Sequence, residues 1–186
     1  MIDVIDNFLP STEHAFIMQY CLDAPYFYGE SDNIDTPVTG MVHNVWSSKL
    51  NEELHDDVKT VGSMDNKCID TKHLFDTLTT TIEERYERCT KNHLTRLYIN
   101  CFSPNDNPYF HTDVGENQDG ITFLYYPNFE YDIDNGGETQ FEVNGALYGI
   151  QPFPNRLVCF PANILHRATS HRNYYRFTVA IKYEFD

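Results

Sequence analysis

Two residues apart in the stretch Tyr109-Phe110-His111-Thr112-Asp113 stand an imidazole and a carboxylate, side chains from which divalent metal sites are built. On an extended strand alternate side chains leave the same face, so His111 and Asp113 could both point at one atom. A second imidazole from a distant strand would complete two nitrogens and one carboxylate oxygen on one side of an octahedron. That leaves the other positions open, a set suited to Fe(II). Two downstream histidines compete for the third place. His166 follows the apolar run Leu157-Val158-Cys159-Phe160-Pro161, whereas His171 sits in Thr169-Ser170-His171-Arg172-Asn173, which reads as an exposed turn. Ten residues after His166, Arg176 opens the strand-like run Arg176-Phe177-Thr178-Val179-Ala180-Ile181, where a charge needs a partner. Its guanidinium is a flat two-pronged donor that matches a carboxylate and stays charged when buried. A His-x-Asp triplet alone turns up by chance in many chains, so the weight rests on the combination.

The elements that would position these groups follow from pattern. Residues 2–9 read as a short strand ending at Pro10, and Ser11 as the N-cap of a helix to Leu22 with Ala15, Met18 and Leu22 on its apolar stripe. Residues 23–37, rich in Asp, Pro, Gly and Ser, read as loop. Residues 38–46 are strand-like and hold His43 and the single Trp, Trp46. Residues 51–67 are polar without a clear period, a mobile connection with a helical turn. Asp70 can cap a helix to about Cys89, along which Leu74, Leu78, Ile82 and Tyr86 recur every four residues, with Glu83, Glu84, Arg85, Glu87 and Arg88 as its solvated face. From Leu94 onward the pattern changes to short strands at 96–102, around His111 and Asp113, and at 121–126, 138–143, 146–150, 156–160, 165–169 and 174–184. Closely spaced short strands with Gly, Pro and Asn between them mean a sandwich or barrel.

Length and charge narrow the classes further. At 186 residues the chain suits one domain with a full core. A formal charge of −15, from 13 basic and 28 acidic residues, argues against general affinity for nucleic acid or an anionic membrane. It would suit a basic or neutral peptide. The five cysteines are odd in number and form no Cys-x-x-Cys pair, which reads as reduced thiols in the cytoplasm. No signal peptide and no bilayer-spanning apolar stretch are visible.

Taken together, His111-x-Asp113, the distal His166 and Arg176 ten positions later resemble the signature of the Fe(II)- and 2-oxoglutarate-dependent dioxygenases, in their prolyl 4-hydroxylase-like branch. The stretches Ile121-Thr122-Phe123-Leu124-Tyr125-Tyr126-Pro127-Asn128, Asn135-Gly136-Gly137-Glu138-Thr139-Gln140-Phe141 and Pro154-Asn155-Arg156-Leu157-Val158-Cys159-Phe160-Pro161 belong to the same match, which covers about residues 95–185. The resemblance implies a mostly β fold with flanking helices, whose core is a double-stranded β-helix, or jelly roll. It implies a single dioxygenase domain over 1–186, with 1–93 as helical and strand support and 94–186 as the catalytic core. His111, Asp113 and His166 would hold Fe(II), and His166 is preferred to His171 on the family spacing. Arg176 would pair with the far carboxylate of 2-oxoglutarate, assisted by Tyr126 and, on Arg176's face, Thr178. Relatives place a tyrosine nine or ten residues before the first histidine ligand, where this chain has Phe102 and Cys101; Tyr98 or Asn100, on Phe102's face, would have to substitute.

The implied reaction consumes O2 and 2-oxoglutarate, releases succinate and CO2, and hydroxylates an unactivated carbon, with ascorbate as a supporting reductant. The leading substrate is a prolyl residue in a protein or peptide, which the acidic, aromatic segment 129–134 and the region around Trp46 could contact. A free amino acid or other small molecule is the alternative. A nucleic-acid demethylase is disfavoured by the charge, and a non-catalytic jelly-roll binding module by the complete ligand set.

Overall fold

The computed structural model describes residues 1–28, 31–33, 35–48 and 70–185. The connection expected at 51–67 and Cys68 lie outside the described residues. Two antiparallel sheets carry the fold. The larger has six strands in the order β1-β7-β4-β9-β3-β2: β1 is Asp3–Ile5, β2 Met41–Ser47, β3 Leu94–Phe102, β4 Asp119–Tyr126, β7 Arg156–Pro161 and β9 Arg176–Phe185. The smaller has the order β6-β5-β8, with β5 Thr139–Val143, β6 Ala146–Ile150 and β8 His166–Ala168. This is the mostly β, jelly-roll arrangement expected from the sequence. The N-terminal half supplies both edges of the large sheet, β1 against β7 and β2 against β3.

Side chains alternate across a strand, and here the alternation divides the large sheet cleanly. Its odd-numbered face carries Leu97, Ile99, Cys101, Phe123, Tyr125, Val179, Ile181 and Tyr183, packed under the two helices in one core cluster. Its even-numbered face carries Tyr98, Leu124, Tyr126, Val158, Phe160 and Ala180, which meet Phe141 of the small sheet in a second cluster. Arg176, Thr178 and Lys182 belong to this second face. Their register brings Arg176 opposite Phe102, Thr178 opposite Asn100, and Lys182 between Arg96 on β3 and Thr122 on β4.

Helix α1 spans Ser11–Asp23 and helix α2 spans Thr71–Arg85. In α2, Asp70 is the N-cap and accepts from the His73 backbone N–H at 2.8 Å. Leu74, Leu78 and Ile82 are completely buried, each contributing about 1.5–3 kcal/mol of hydrophobic stabilisation. The helix stops at Arg85, short of Cys89; Tyr86 turns out of it and lays its ring against Phe123. Glu83, expected in solvent, is half-buried with its Oε1 unpartnered.

Helix α1 departs from expectation in two respects. Ser11 is its first residue rather than its cap; Pro10 holds the cap position and no side chain caps the helix. The buried face is His14, Ile17, Met18 and Cys21, while Ala15 and Leu22 are exposed. The two candidate stripes differ by one residue, about 100° around the helix. The one with Ile17 and Cys21 hides more apolar surface, and the His14 imidazole on it is satisfied by the Tyr125 hydroxyl at 2.6 Å. Trp46, considered for a peptide groove, packs against Phe75 of α2 with ring centroids 5.8 Å apart.

Candidate metal and 2-oxoglutarate site

His111 and Asp113 do not lie on a regular strand, contrary to the extended geometry anticipated for them. Residues 103–118 form no regular strand, and the stretch around His111 and Asp113 is held by backbone bonds to β8 and to the turn before it. The His111 N–H donates to the His166 carbonyl and the His166 N–H to the His111 carbonyl, both at 2.9 Å. The Asp113 N–H donates to the Ala162 carbonyl at 2.8 Å. His111 thus becomes one more rung beside β8, and the two imidazoles stand with ring centroids 4.5 Å apart. One ligand atom from each of His111, Asp113 and His166 lies within 4.8 Å of the others.

The surroundings set each group in the form a metal requires. The Nδ1 of His111 lies 3.1 Å from the Tyr109 carbonyl, and that of His166 lies 2.8 Å from the Ile164 carbonyl. A carbonyl only accepts, so Nδ1 carries the proton and the Nε2 lone pair is left for a metal. Both Nε2 atoms face Asp113, at 3.8 Å from its Oδ1 for His111 and 3.6 Å from its Oδ2 for His166. Burial lowers the pKa of His166, keeping the imidazole neutral, with Asp113 pulling the other way. Burial also opposes ionisation of Asp113, yet Lys182, His166 and Thr122 outweigh it and hold the carboxyl down at about 2.

Lys182 and Thr122 escaped the sequence reading. The Lys182 Nζ lies 2.7 Å from Asp113 Oδ1, and the Thr122 hydroxyl donates to Asp113 Oδ2 at 2.6 Å. Lys182 is six residues beyond Arg176, an even spacing that puts both on one face of β9; that spacing was the available signal. Asp32 was also missed, within the stretch read only as loop. It accepts from the Tyr109 N–H at 2.6 Å and lies 3.4 Å from His111 Nδ1, while Asn33 donates to the Phe110 carbonyl.

The same cavity, about 230 Å³, is lined by these three candidate ligands together with Arg176, Thr178, Tyr98, Asn100 and Lys182. Arg176 is buried, its Nε donating to the Gly137 carbonyl at 2.7 Å and its Nη2 to the Thr139 hydroxyl at 2.9 Å. Among the described residues no ion pair joins it to a carboxylate. Burial lowers its pKa, with Tyr126 and Glu138 opposing, and a guanidinium keeps its charge even so. Tyr126 stands one step back from the cavity: its hydroxyl meets Thr139 Oγ1 at 2.7 Å, and its ring lies beside Arg176. Thr139 therefore joins Tyr126 to Arg176, a role nothing in its sequence context indicated. Tyr98 lies between two cations, with Arg96 over its ring at 4.0 Å and the Lys182 ammonium at 5.2 Å from its centroid.

His171 is not in an exposed turn. It is completely buried against Tyr174 and Gly137. It is absent from the cavity lining and from the cluster of ligand atoms. Burial and the nearby Arg176 hold its pKa down at about 4, so it is neutral at physiological pH.

No family model matches the sequence, and no curated protein matches it. Solved structures do. A prolyl hydroxylase from Trichoplax adhaerens, in complex with a hypoxia inducible factor oxygen degradation domain peptide fragment, superposes with a TM-score of 0.71 at 18% identity, covering 100% of this chain and 83% of its own. A Pseudomonas putida prolyl-4-hydroxylase gives 0.70 at 11% identity, covering 100% and 92%. A 2OG-Fe(II) oxygenase family oxidoreductase from Burkholderia pseudomallei gives 0.70 at 14% identity, covering 98% and 84%. At these identities the likeness is one of architecture: the chain has the fold of the prolyl hydroxylases and 2OG-Fe(II) oxygenases.

Proposed function

We propose that this protein is an Fe(II)- and 2-oxoglutarate-dependent oxygenase that hydroxylates prolyl residues of a protein or peptide. The observation that carries the reading is a buried guanidinium with no carboxylate partner among the described residues, in one cavity with two imidazoles and a carboxylate poised for a metal. A buried cation without an acid is costly unless something anionic completes it. A dicarboxylate that reaches from the metal ligands to Arg176 would do so.

His111 Nε2, His166 Nε2 and Asp113 would hold Fe(II), and the donor set fits: the His166 imidazole is kept neutral by burial, the carboxyl is ionised, and both Nδ1 atoms are engaged elsewhere. Iron so held would supply the oxidising chemistry, in which 2-oxoglutarate and O2 give succinate, CO2 and one oxygen atom for the substrate carbon. The chain's own part is placement. Arg176 would take the far carboxylate of 2-oxoglutarate in its fork, oriented by the Gly137 carbonyl and by Thr139 with Tyr126 behind it. Thr178 and Asn100 offer a hydroxyl and an amide along the same wall. Tyr98 would close the near side, where relatives of the prolyl hydroxylase branch carry a different tyrosine. Ascorbate would serve to keep the iron reduced.

The peptide reading draws on the Trichoplax neighbour, which was solved with a peptide bound, and on the acidity of this chain, which suits a neutral or basic partner. Phe129 and Ile133 are exposed beside Glu130 and Asp132, in a groove shared with Phe153 and Tyr174. Such a surface suits an extended, proline-rich segment. We treat residues 1–186 as one oxygenase domain, 94–186 being the catalytic core and 1–93 its support. Cys21, Cys89, Cys101 and Cys159 are buried and free, which favours the cytoplasm, and no helix among the described residues is long and apolar enough to cross a membrane.

The test is succinate formation by purified protein with Fe(II), ascorbate and 2-oxoglutarate, with and without a panel of proline-containing peptides. Mass spectrometry would look for one added oxygen. Peptide-stimulated succinate with hydroxyproline is the expected result. Slow succinate that no peptide accelerates would sink the prolyl reading, and no succinate from iron-loaded protein would sink the oxygenase.

A further inference from the structure

The Lys182–Asp113 contact has no part in the function proposed above. Lys182 reaches the cavity from the centre of β9, flanked in register by Arg96 on one side and Thr122 on the other. Its side chain is largely buried, and Asp113 is its only carboxylate partner among the described residues. Asp113 in turn has both oxygens engaged, Oδ1 by the Lys182 ammonium at 2.7 Å and Oδ2 by the Thr122 hydroxyl at 2.6 Å. A positive charge is therefore built against the one anionic member of the candidate metal triad. We propose that Lys182 is a positioning residue that both fixes the Asp113 carboxylate and competes with a divalent metal for it, so that it weakens metal binding at this site. The inference rests on the metal reading of His111, Asp113 and His166.

The physical case is a balance of two effects. Held at both oxygens, the carboxylate loses little freedom when a metal binds, which favours binding. Against this, a divalent cation on Asp113 would stand within a few ångströms of an ammonium in a poorly solvated cavity. Like charges at that separation repel strongly where water is scarce. Retreat would cost Lys182 its contact with Asp113 and its place beside the Tyr98 ring. Repulsion is therefore the larger effect. An uncharged side chain of similar length removes it, while Thr122 continues to orient the carboxylate.

Direct titration of chelator-stripped full-length protein with Mn(II), followed by paramagnetic resonance of the free ion, measures the affinity without any turnover. Co(II) absorption spectra would report whether the ligand set is kept. Lys182→Met should bind Mn(II) about tenfold more tightly than the native chain, by loss of the repulsion. Lys182→Arg, which keeps the charge, should stay within about threefold of native. His111→Ala, as the site control, should abolish the binding in both backgrounds. Thermal melting establishes that each variant is folded. A merely structural ion pair gives the opposite sign, since its loss would loosen Asp113 and weaken the metal. Equal or weaker Mn(II) binding by folded Lys182→Met overturns this inference and leaves the metal reading standing, provided native binding is lost in His111→Ala. Absence of His111-dependent binding in both the native and Lys182→Met proteins overturns both.

Discussion

Replacing Arg176 by methionine tests the cosubstrate assignment most directly. Methionine keeps much of the volume and all of the burial but removes the charge and its five N–H donors. Two of those five, on Nε and Nη2, are held by Gly137 and Thr139, so three remain for a ligand carboxylate. A charge-assisted hydrogen bond contributes about 1.5–3 kcal/mol, and deleting one partner of a buried charged pair costs about 2–5 kcal/mol. Taking about 3 kcal/mol at 1.36 kcal/mol per decade, the apparent KM for 2-oxoglutarate should rise about 150-fold. Because the contact is made equally before and during the reaction, kcat at saturating cosubstrate should fall far less. Arg176→Lys, with charge but no fork, should fall between the two. The assay is succinate release over a range of 2-oxoglutarate concentrations, with Mn(II) binding as a check that the triad is intact. A folded Arg176→Met protein that binds Mn(II) normally and shows the native KM would refute the reasoning and make Arg176 structural.

Three further outcomes follow from the same geometry. Gly137→Ala should cost about 2–4 kcal/mol in stability and also raise the KM for 2-oxoglutarate: φ at Gly137 is +88°, an added Cβ would lie 2.2 Å from the His171 ring, and the Gly137 carbonyl holds Arg176. Denaturant melts and the succinate assay check the two halves. His171, whose pKa is held at about 4 against an ordinary 6.5, makes stability depend on pH. The unfolded chain takes up a proton first, so the contribution is intact above pH 6.5 and is lost as pH falls toward 4, by about 3 kcal/mol; His171→Phe should flatten that slope in melts between pH 4 and 7. Leu78→Ala, at a completely buried position of α2, should cost about 2–5 kcal/mol in denaturant melts while leaving the 2-oxoglutarate KM near native in protein that remains folded.

Period and turn chemistry made most of the strand-rich C-terminal half legible, because β3, β4, β7 and β9 bury one or both faces and must write that burial into their side chains. Helix α2 was legible for the same reason, with Asp70 before it and leucines at four-residue intervals. Helix α1 was misread in its buried face because His14 and Tyr20 bury polar side chains, whose partners, Tyr125, His43 and Thr71, come from distant segments. His171 was misread as solvent-exposed for a related reason: a polar residue in a polar stretch is buried here by packing on Gly137, a glycine in the loop before β5.

Sequence by itself determined the types and order of the candidate site groups: His111, Asp113, His166 and Arg176, with Tyr98, Tyr126 and Thr178 as proposed companions. It also determined the alternation that puts Arg176 and Thr178 on one face. Only the tertiary structure decided how His111 and Asp113 are held, since they follow no strand and take their conformation from backbone bonds to His166 and Ala162. It alone brought Lys182 and Thr122 to the Asp113 carboxylate, Thr139 to Arg176 and Asp32 to the His111 loop. Those contacts join residues up to about eighty positions apart. A chain's local pattern records which side of an element is buried, and carries no record of which distant side chain will be met there.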